Sequence, residues 1–275
     1  MRLLEWYRAM GVDAAIGEHP IDWLARGGSG PGSGFAWPDR NGNATEPAPR
    51  PVVQAPLPVA MPTLEPRSRP QTPLAASEAE SEGRRAARSS RTLEDLEAAL
   101  RAFDGCALKA TATNLCFYRG AASARVMIVG EAPGRDEDIE GRPFVGRAGQ
   151  LLDRMLAAIG LTEADVHITN IVYWRPPGNR TPTPQEALAC RPFLERQIEL
   201  VKPAFVIAVG GSAAKELFGV ADGIMRIRGK WRELVAGEHK AEALATLHPA
   251  YLLRTPAAKQ LAWLDLLAIK ARLNS

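Results

Sequence analysis

The sequence predicts an α/β protein: three layers, α/β/α, around a central, mainly parallel four-stranded sheet, preceded by an N-terminal helix and a disordered linker. Two observations carry that expectation. Beyond residue 92, four short apolar runs (125–129, 166–172, 205–209 and 243–247) alternate with stretches of helical period (151–159, 184–200, 213–218 and 259–273). Runs without polar alternation belong to strands covered on both faces, and the intervening helices supply the crossovers of a parallel sheet. The second observation is uneven proline: nine of the 22 fall from Pro47 to Pro73, just after the glycine-rich stretch 27–34.

In chain order, Leu3, Leu4, Tyr7, Met10 and Ala14 recur at helical spacing, with Trp6 and Trp23 nearby, so residues 1–26 are read as a short helical segment. Its apolar stripe either docks a partner protein or packs back on the core. Residues 27–91 have no hydrophobic period and little apolar surface to offset ordering entropy, and are read as a disordered tether. Thr92, with Asp95 three residues on, makes a capping box ahead of Leu93, Leu96, Leu100 and Phe103. A helix therefore begins there and opens a single catalytic domain, 92–275. In open α/β sheets the ligand sits beyond the carboxyl ends of the strands. Three polar loops fall in that place: Gly130, Glu131, Ala132, Pro133 and Gly134 after the first run; Thr169 and Asn170, then 175–180, after the second; and 248–254 after the fourth.

Composition narrows the classes. The chain has 275 residues, 46% hydrophobic and 24% charged, which suits one sizeable core. No run reaches the roughly 18 apolar residues of a membrane span, and Glu5 interrupts any signal-like N-terminus. The expectation is a soluble, cytoplasmic monomer with no membrane partner. Three cysteines are too few for a disulfide scaffold. A net charge of +3 permits an anionic partner. No G-x-x-x-x-G-K-[ST] phosphate loop is present, which argues against a generic nucleotide-binding protein.

Four motifs stand in order: 130–138 with 141–146, Thr169 with Asn170, 175–180, and 248–254. Together they resemble the motifs of family 4 uracil-DNA glycosylases, over essentially all of residues 93–272. The resemblance implies a uracil-DNA glycosylase-like fold and a monofunctional hydrolase of base excision repair. Such an enzyme flips uracil out of single- or double-stranded DNA, hydrolyses its N-glycosidic bond and leaves an abasic site, an activity placed at the bacterial nucleoid. By resemblance, Phe144 stacks on uracil and Asn170 pairs with its O4 and N3–H, an orientation that mismatches cytosine. His248 faces O2 and stabilises the leaving anion, neutral or charged. Glu131 orients the water or balances the sugar cation, and Asn179 helps hold water or a phosphate. Backbone amides of the 130–134 loop suit polar or anionic groups, and Glu137 excludes the methyl group of thymine. Arg175, Arg180 and Arg254 meet DNA phosphates, and Leu252 leads a candidate wedge into the gap left by the flipped base.

The cysteines depart from that family. Its members hold a [4Fe-4S] cluster on four thiolates; here Cys106 and Cys190 match two positions, while Phe103 and Trp174 stand at the others and Cys116 fits none. Neither Phe nor Trp ligates iron, so no cofactor and no metal are expected. The alternative reading is a non-catalytic uracil-DNA binding or sensing module. A covalent-trapping relative carries a histidine in the 174–180 segment, and none occurs here.

Overall fold

The computed structural model describes residues 76–274; the expected helix at 1–26 and the tether as far as residue 75 lie outside the described residues. Six strands form one sheet: β1 (Arg119–Gly120), β2 (Val126–Gly130), β3 (Val166–Asn170), β4 (Phe205–Val209), β5 (Arg232–Ala236) and β6 (His239–Thr246). Their order is β1-β3-β2-β4-β6-β5. The central four are parallel, as expected, and antiparallel β1 and β5 flank them.

The helices are α1 (Ala76–Ser89), α2 (Leu93–Ala102), α3 (Arg135–Glu140), α4 (Arg147–Ala158), α5 (Pro184–Val201), α6 (Gly211–Phe218), α7 (Ile224–Ile227), α8 (Pro249–Arg254) and α9 (Lys259–Leu273). None of the described helices is long and apolar enough to cross a membrane. Alternate strand residues sort the core into two layers. Val126, Ile128, Ile168 and Ile207 pack with Leu152 and Leu156 of α4 and Leu266 of α9. Met127, Val129, Val206 and Ala208 face the other way, with Leu96 and Leu100 of α2, Phe193 and Ile198 of α5, and Ala213 of α6. The capping box of α2 is present: Thr92 Oγ1 accepts from Asp95 N, and Asp95 accepts from Thr92 N. A second box, Thr183 with Glu186, opens α5 with Pro184 in its first turn.

One expectation is corrected. The sequence assigns the tether as far as residue 91, yet α1 occupies Ala76–Ser89 and lies against α5. The contact uses small residues at every fourth place. Ala79 and Ala87 are 2% exposed, and a Cβ on Gly83 would stand 3.1 Å from Phe193 Cε2. Arg84 adds ion pairs to Glu80 and to Glu195 of α5. The stripe lets two backbones approach closely without any large apolar side chain on α1, so α1 shows no hydrophobic period.

A buried polar chain fastens β3 to α5. His167 Nδ1 donates to the Ala121 carbonyl at 2.8 Å, and its Nε2 accepts from Gln197 Nε2 at 2.9 Å. Gln197 Oε1 in turn accepts from the Tyr173 hydroxyl at 2.8 Å. Burial pushes the His167 pKa down to about 4. The unfolded chain, titrating near ~6.5, then binds the proton that the folded state refuses, and stability falls as pH drops from about 6.5 towards about 4. The expected loss is on the order of 3 kcal/mol across that window. Urea unfolding followed from neutral to acidic pH checks it: His167→Gln, which has no such proton, should flatten the slope.

Candidate functional site

The ends of β2 and β3 lie side by side, with Gly130 in register with Asn170. A Cβ on Gly130 would stand 2.4 Å from Phe144 Cζ and 2.5 Å from Asn170 Oδ1. The aromatic ring and the amide are neighbours because residue 130 has no side chain. Phe144 is itself held in the left-handed region, at φ 56°. Gly149, in the first turns of α4, allows this: a Cβ there would fall 1.7 Å from the Phe144 carbonyl oxygen. Asn170 is 1% exposed, and neither its Oδ1 nor its Nδ2 has a hydrogen-bond partner. An amide left in that state costs about 1–3 kcal/mol and keeps both its donor and its acceptor uncommitted.

Phe144 also lines a cleft of about 470 Å³ with Glu131, Ala132, Pro133, Gly134, Glu137, Asn179, Arg180, His248, Tyr251 and Arg254. The Glu137 carboxylate ties two loops of this cleft together, accepting from Gly134 N at 3.0 Å and from Gly146 N at 2.9 Å. Its oxygens are thus engaged in holding the loops on either side of Phe144. The Gly134 amide is also taken, which leaves one fewer donor in the 130–134 loop than the sequence implied.

His248 sits at the N-cap of α8, where its Nδ1 accepts from Ala250 N at 3.1 Å. That bond fixes the tautomer, so in the neutral ring the proton is on Nε2. Burial holds its pKa below the usual histidine range, against the opposing pull of Glu131 and Glu137 and with the help of Arg254. The ring is stacked relative to Phe144, at 5.7 Å between centroids and 28° between planes. Gly210, at φ 100° at the end of β4, lets it in: a Cβ there would lie 3.1 Å from His248 Cβ.

The uracil-DNA glycosylase superfamily model matches residues 117–267, more than half of the chain. A type-4 uracil-DNA glycosylase from Archaeoglobus fulgidus is 42% identical over 169 residues, 60% of this chain and 85% of the relative. The chain belongs to the uracil-DNA glycosylase superfamily, in its type-4 branch. Type-4 relatives from Thermotoga maritima and Pyrobaculum aerophilum are each 43% identical, over 54% and 60% of this chain and 77% and 86% of their own lengths.

At the rim of this type-4 cleft, the residues expected to meet DNA divide. Arg254 is exposed on the last turn of α8 and lines the cleft. Arg180 also lines it, but its guanidinium is paired at both ends with Glu186, at 2.8 and 2.6 Å. Arg175 braces its own loop instead, donating to Asn179 Oδ1 at 2.7 Å and standing 3.9 Å from Asp138 Oδ2. Asn179 keeps its place in the cleft with its amide oxygen committed to that bond. Leu252 is a correction: it is 1% exposed and packs in the core layer with Leu151 and Leu266, so it is no wedge. The first turn of α8 points it inward and leaves Tyr251 outward. Sequence reasoning passed over Tyr251, Gly149, Gly210 and the clamping bonds of Glu137. The Gly210-Gly211 pair following a strand was the one available signal for Gly210.

The cysteine corner of this type-4 chain lies in the other core layer. Cys106 and Cys190 are buried with their Sγ atoms 3.8 Å apart. Phe103 and Trp174 are buried in the same cluster, and Phe103 packs on Phe193 at 5.0 Å. Cys116 N donates to the Tyr173 carbonyl, and its Sγ lies 3.1 Å from the Glu137 carbonyl, with its pKa pushed up to about 12 by burial. Among the described residues, no three histidine, cysteine or acidic side chains come together as a metal site. Two thiols and two aromatic rings do not fit a cluster that requires four thiolates.

Proposed function

We propose that this chain excises uracil from DNA by hydrolysis, and the observation that carries the reading is the unpartnered Asn170 amide beside Phe144. Uracil offers N3–H and O4 side by side. Asn170 Oδ1 accepts from N3–H and Nδ2 donates to O4, while the Phe144 ring covers the base face. Cytosine would bring an amine against Nδ2, donor against donor. The base must leave the duplex to reach this pocket, at a cost of a few kcal/mol that is lowest where pairing is already weak.

As the glycosidic bond breaks, positive charge develops on the sugar and negative charge on the departing uracil. His248, neutral and with its proton on Nε2, donates to O2 as that charge builds. The Glu131 carboxylate, on the same cleft, orients the water or balances the sugar cation. Water adds to C1′, its proton passes to solvent or to the departing base, and uracil and an abasic site result. Among the described residues the cleft wall contains no lysine to form a Schiff base, which supports a monofunctional hydrolase. A non-catalytic sensor would have no use for a histidine held neutral over the base pocket. Arg254, and Arg180 once released from Glu186, supply phosphate contacts.

Incubation with a uracil-containing oligonucleotide tests this reading: free uracil and alkali-labile sites are expected, with no nicks before alkali. Intact uracil with tight binding would support the sensor instead.

The same proposal includes a protein that works without an iron–sulfur cluster, supported by Phe103 and Trp174, which cannot ligate iron, being buried in the same core layer as Cys106 and Cys190. Anaerobically purified protein is expected to be colourless, to contain no stoichiometric iron or sulfide, and to keep its melting temperature in the presence of chelator. Iron and sulfide in stoichiometric amounts would overturn it. A monomer acting in the cytoplasm, with residues 1–26 docking a protein partner, completes the proposal; the helical spacing of Leu3, Leu4, Tyr7 and Met10 supports the docking.

A further inference from the structure

Extruding a nucleotide from a duplex leaves a gap between its neighbours, and the duplex closes again unless something occupies it. Of the tract 252–254 expected to fill it, Leu252 is buried in the core and Leu253 is partly buried against it. Several large apolar or aromatic side chains are exposed among the described residues: Ile139, Met225, Val235, Tyr251, Trp263 and Leu264 among them. Of these, Tyr251 lines the cleft that holds Phe144 and His248. Resting on the functional reading above, we propose that Tyr251 is the side chain that stacks into the duplex when uridine leaves it.

Three features support this. Tyr251 is 37% exposed although the residue after it is fully packed, so its ring stands clear of the core. The rigid backbone that carries it also carries His248, whose carbonyl accepts from Tyr251 N at 2.9 Å. The backbone that carries the ring is therefore fixed relative to that of His248. Arg254 lies three residues on, on the same face of α8, and also lines the cleft. An aromatic face beside a cation is the pairing that takes a base and the phosphate next to it. An aromatic ring stacks on any base, so such a wedge serves uracil in any sequence context.

The distinguishing experiment compares one uridine in a single strand and in a duplex. A single strand has no partner strand to re-pair with the base, so it has no need of a wedge. Tyr251→Ala should lose roughly ten-fold in kcat/KM on the duplex and distinctly less on the single strand, with an unchanged melting temperature showing that the variant is folded. Tyr251→Phe, keeping the ring, should behave as wild type on both. A 2-aminopurine beside the uridine should show a smaller fluorescence rise on binding of the alanine variant. An equal loss on both substrates, or no loss on the duplex, overturns the proposal. If the wild type releases uracil from neither substrate, the functional reading has failed, and the 2-aminopurine signal still decides whether Tyr251 enters the duplex.

Discussion

Replacing His248 with alanine is expected to slow uracil release by about two to three decades while leaving affinity for uracil-containing DNA nearly unchanged. The magnitude is that of removing one preorganised donor to a developing oxyanion, about 2.7–4 kcal/mol. The split between rate and binding follows from timing: O2 is a weak acceptor in the bound base and a strong one only as the bond breaks, so the contact matters in the transition state. The geometry specifies which nitrogen acts, since Nδ1 already accepts from Ala250 N. His248→Gln, which retains an N–H donor, should recover part of the rate. Single-turnover kinetics alongside a binding titration would check the assignment, and an unimpaired alanine variant would remove His248 from the chemistry.

Asn170→Leu should move activity and stability in opposite directions. The native amide is buried without a partner, and an apolar residue of similar size removes that penalty of about 1–3 kcal/mol. A domain of this size should melt several degrees higher, at about 2–4 °C per kcal/mol. Uracil release should fall by at least about two decades, because a site built around hydrogen bonds discriminates through them. Calorimetry with an activity assay on the same preparation reads both. A variant that is both less stable and inactive would mean that the amide has a structural partner; one that is active would mean that uracil is read elsewhere.

How far the site was legible depends on what each residue does. The four central strands were plain in the sequence because burial on both faces requires uninterrupted apolar runs. The flanking strands were not: Arg119–Gly120 is two residues long, and Arg232–Ala236 is buried only at alternate places. Helix α1 escaped because its contact face is Ala79, Gly83 and Ala87, which contribute to close approach and little to hydrophobicity. Glu131, Asn170, Phe144 and His248 were legible as motif members. Their arrangement was not, because it depends on missing side chains at Gly130, Gly149 and Gly210 and on a left-handed Phe144. Leu252 and Tyr251 adjoin in sequence, and only the direction of a short helix decides which of them meets solvent.

Gly130, Asn170, Gly210 and His248 stand at or just beyond the ends of β2, β3, β4 and β6. Each neighbouring pair among these four strands is parallel, so each of their pairings waits on a long crossover. Fragments of the chain therefore hold parts of the pocket and none of its chemistry. During synthesis the His248 imidazole emerges last, long after the Asn170 amide, and the pocket cannot close until β6 has joined β4. Such late, long-range closure is the slow kind. Catalysis should accordingly appear all at once in a refolding time course, lagging any signal from the earlier helices, and its onset would time the docking of the final central strand.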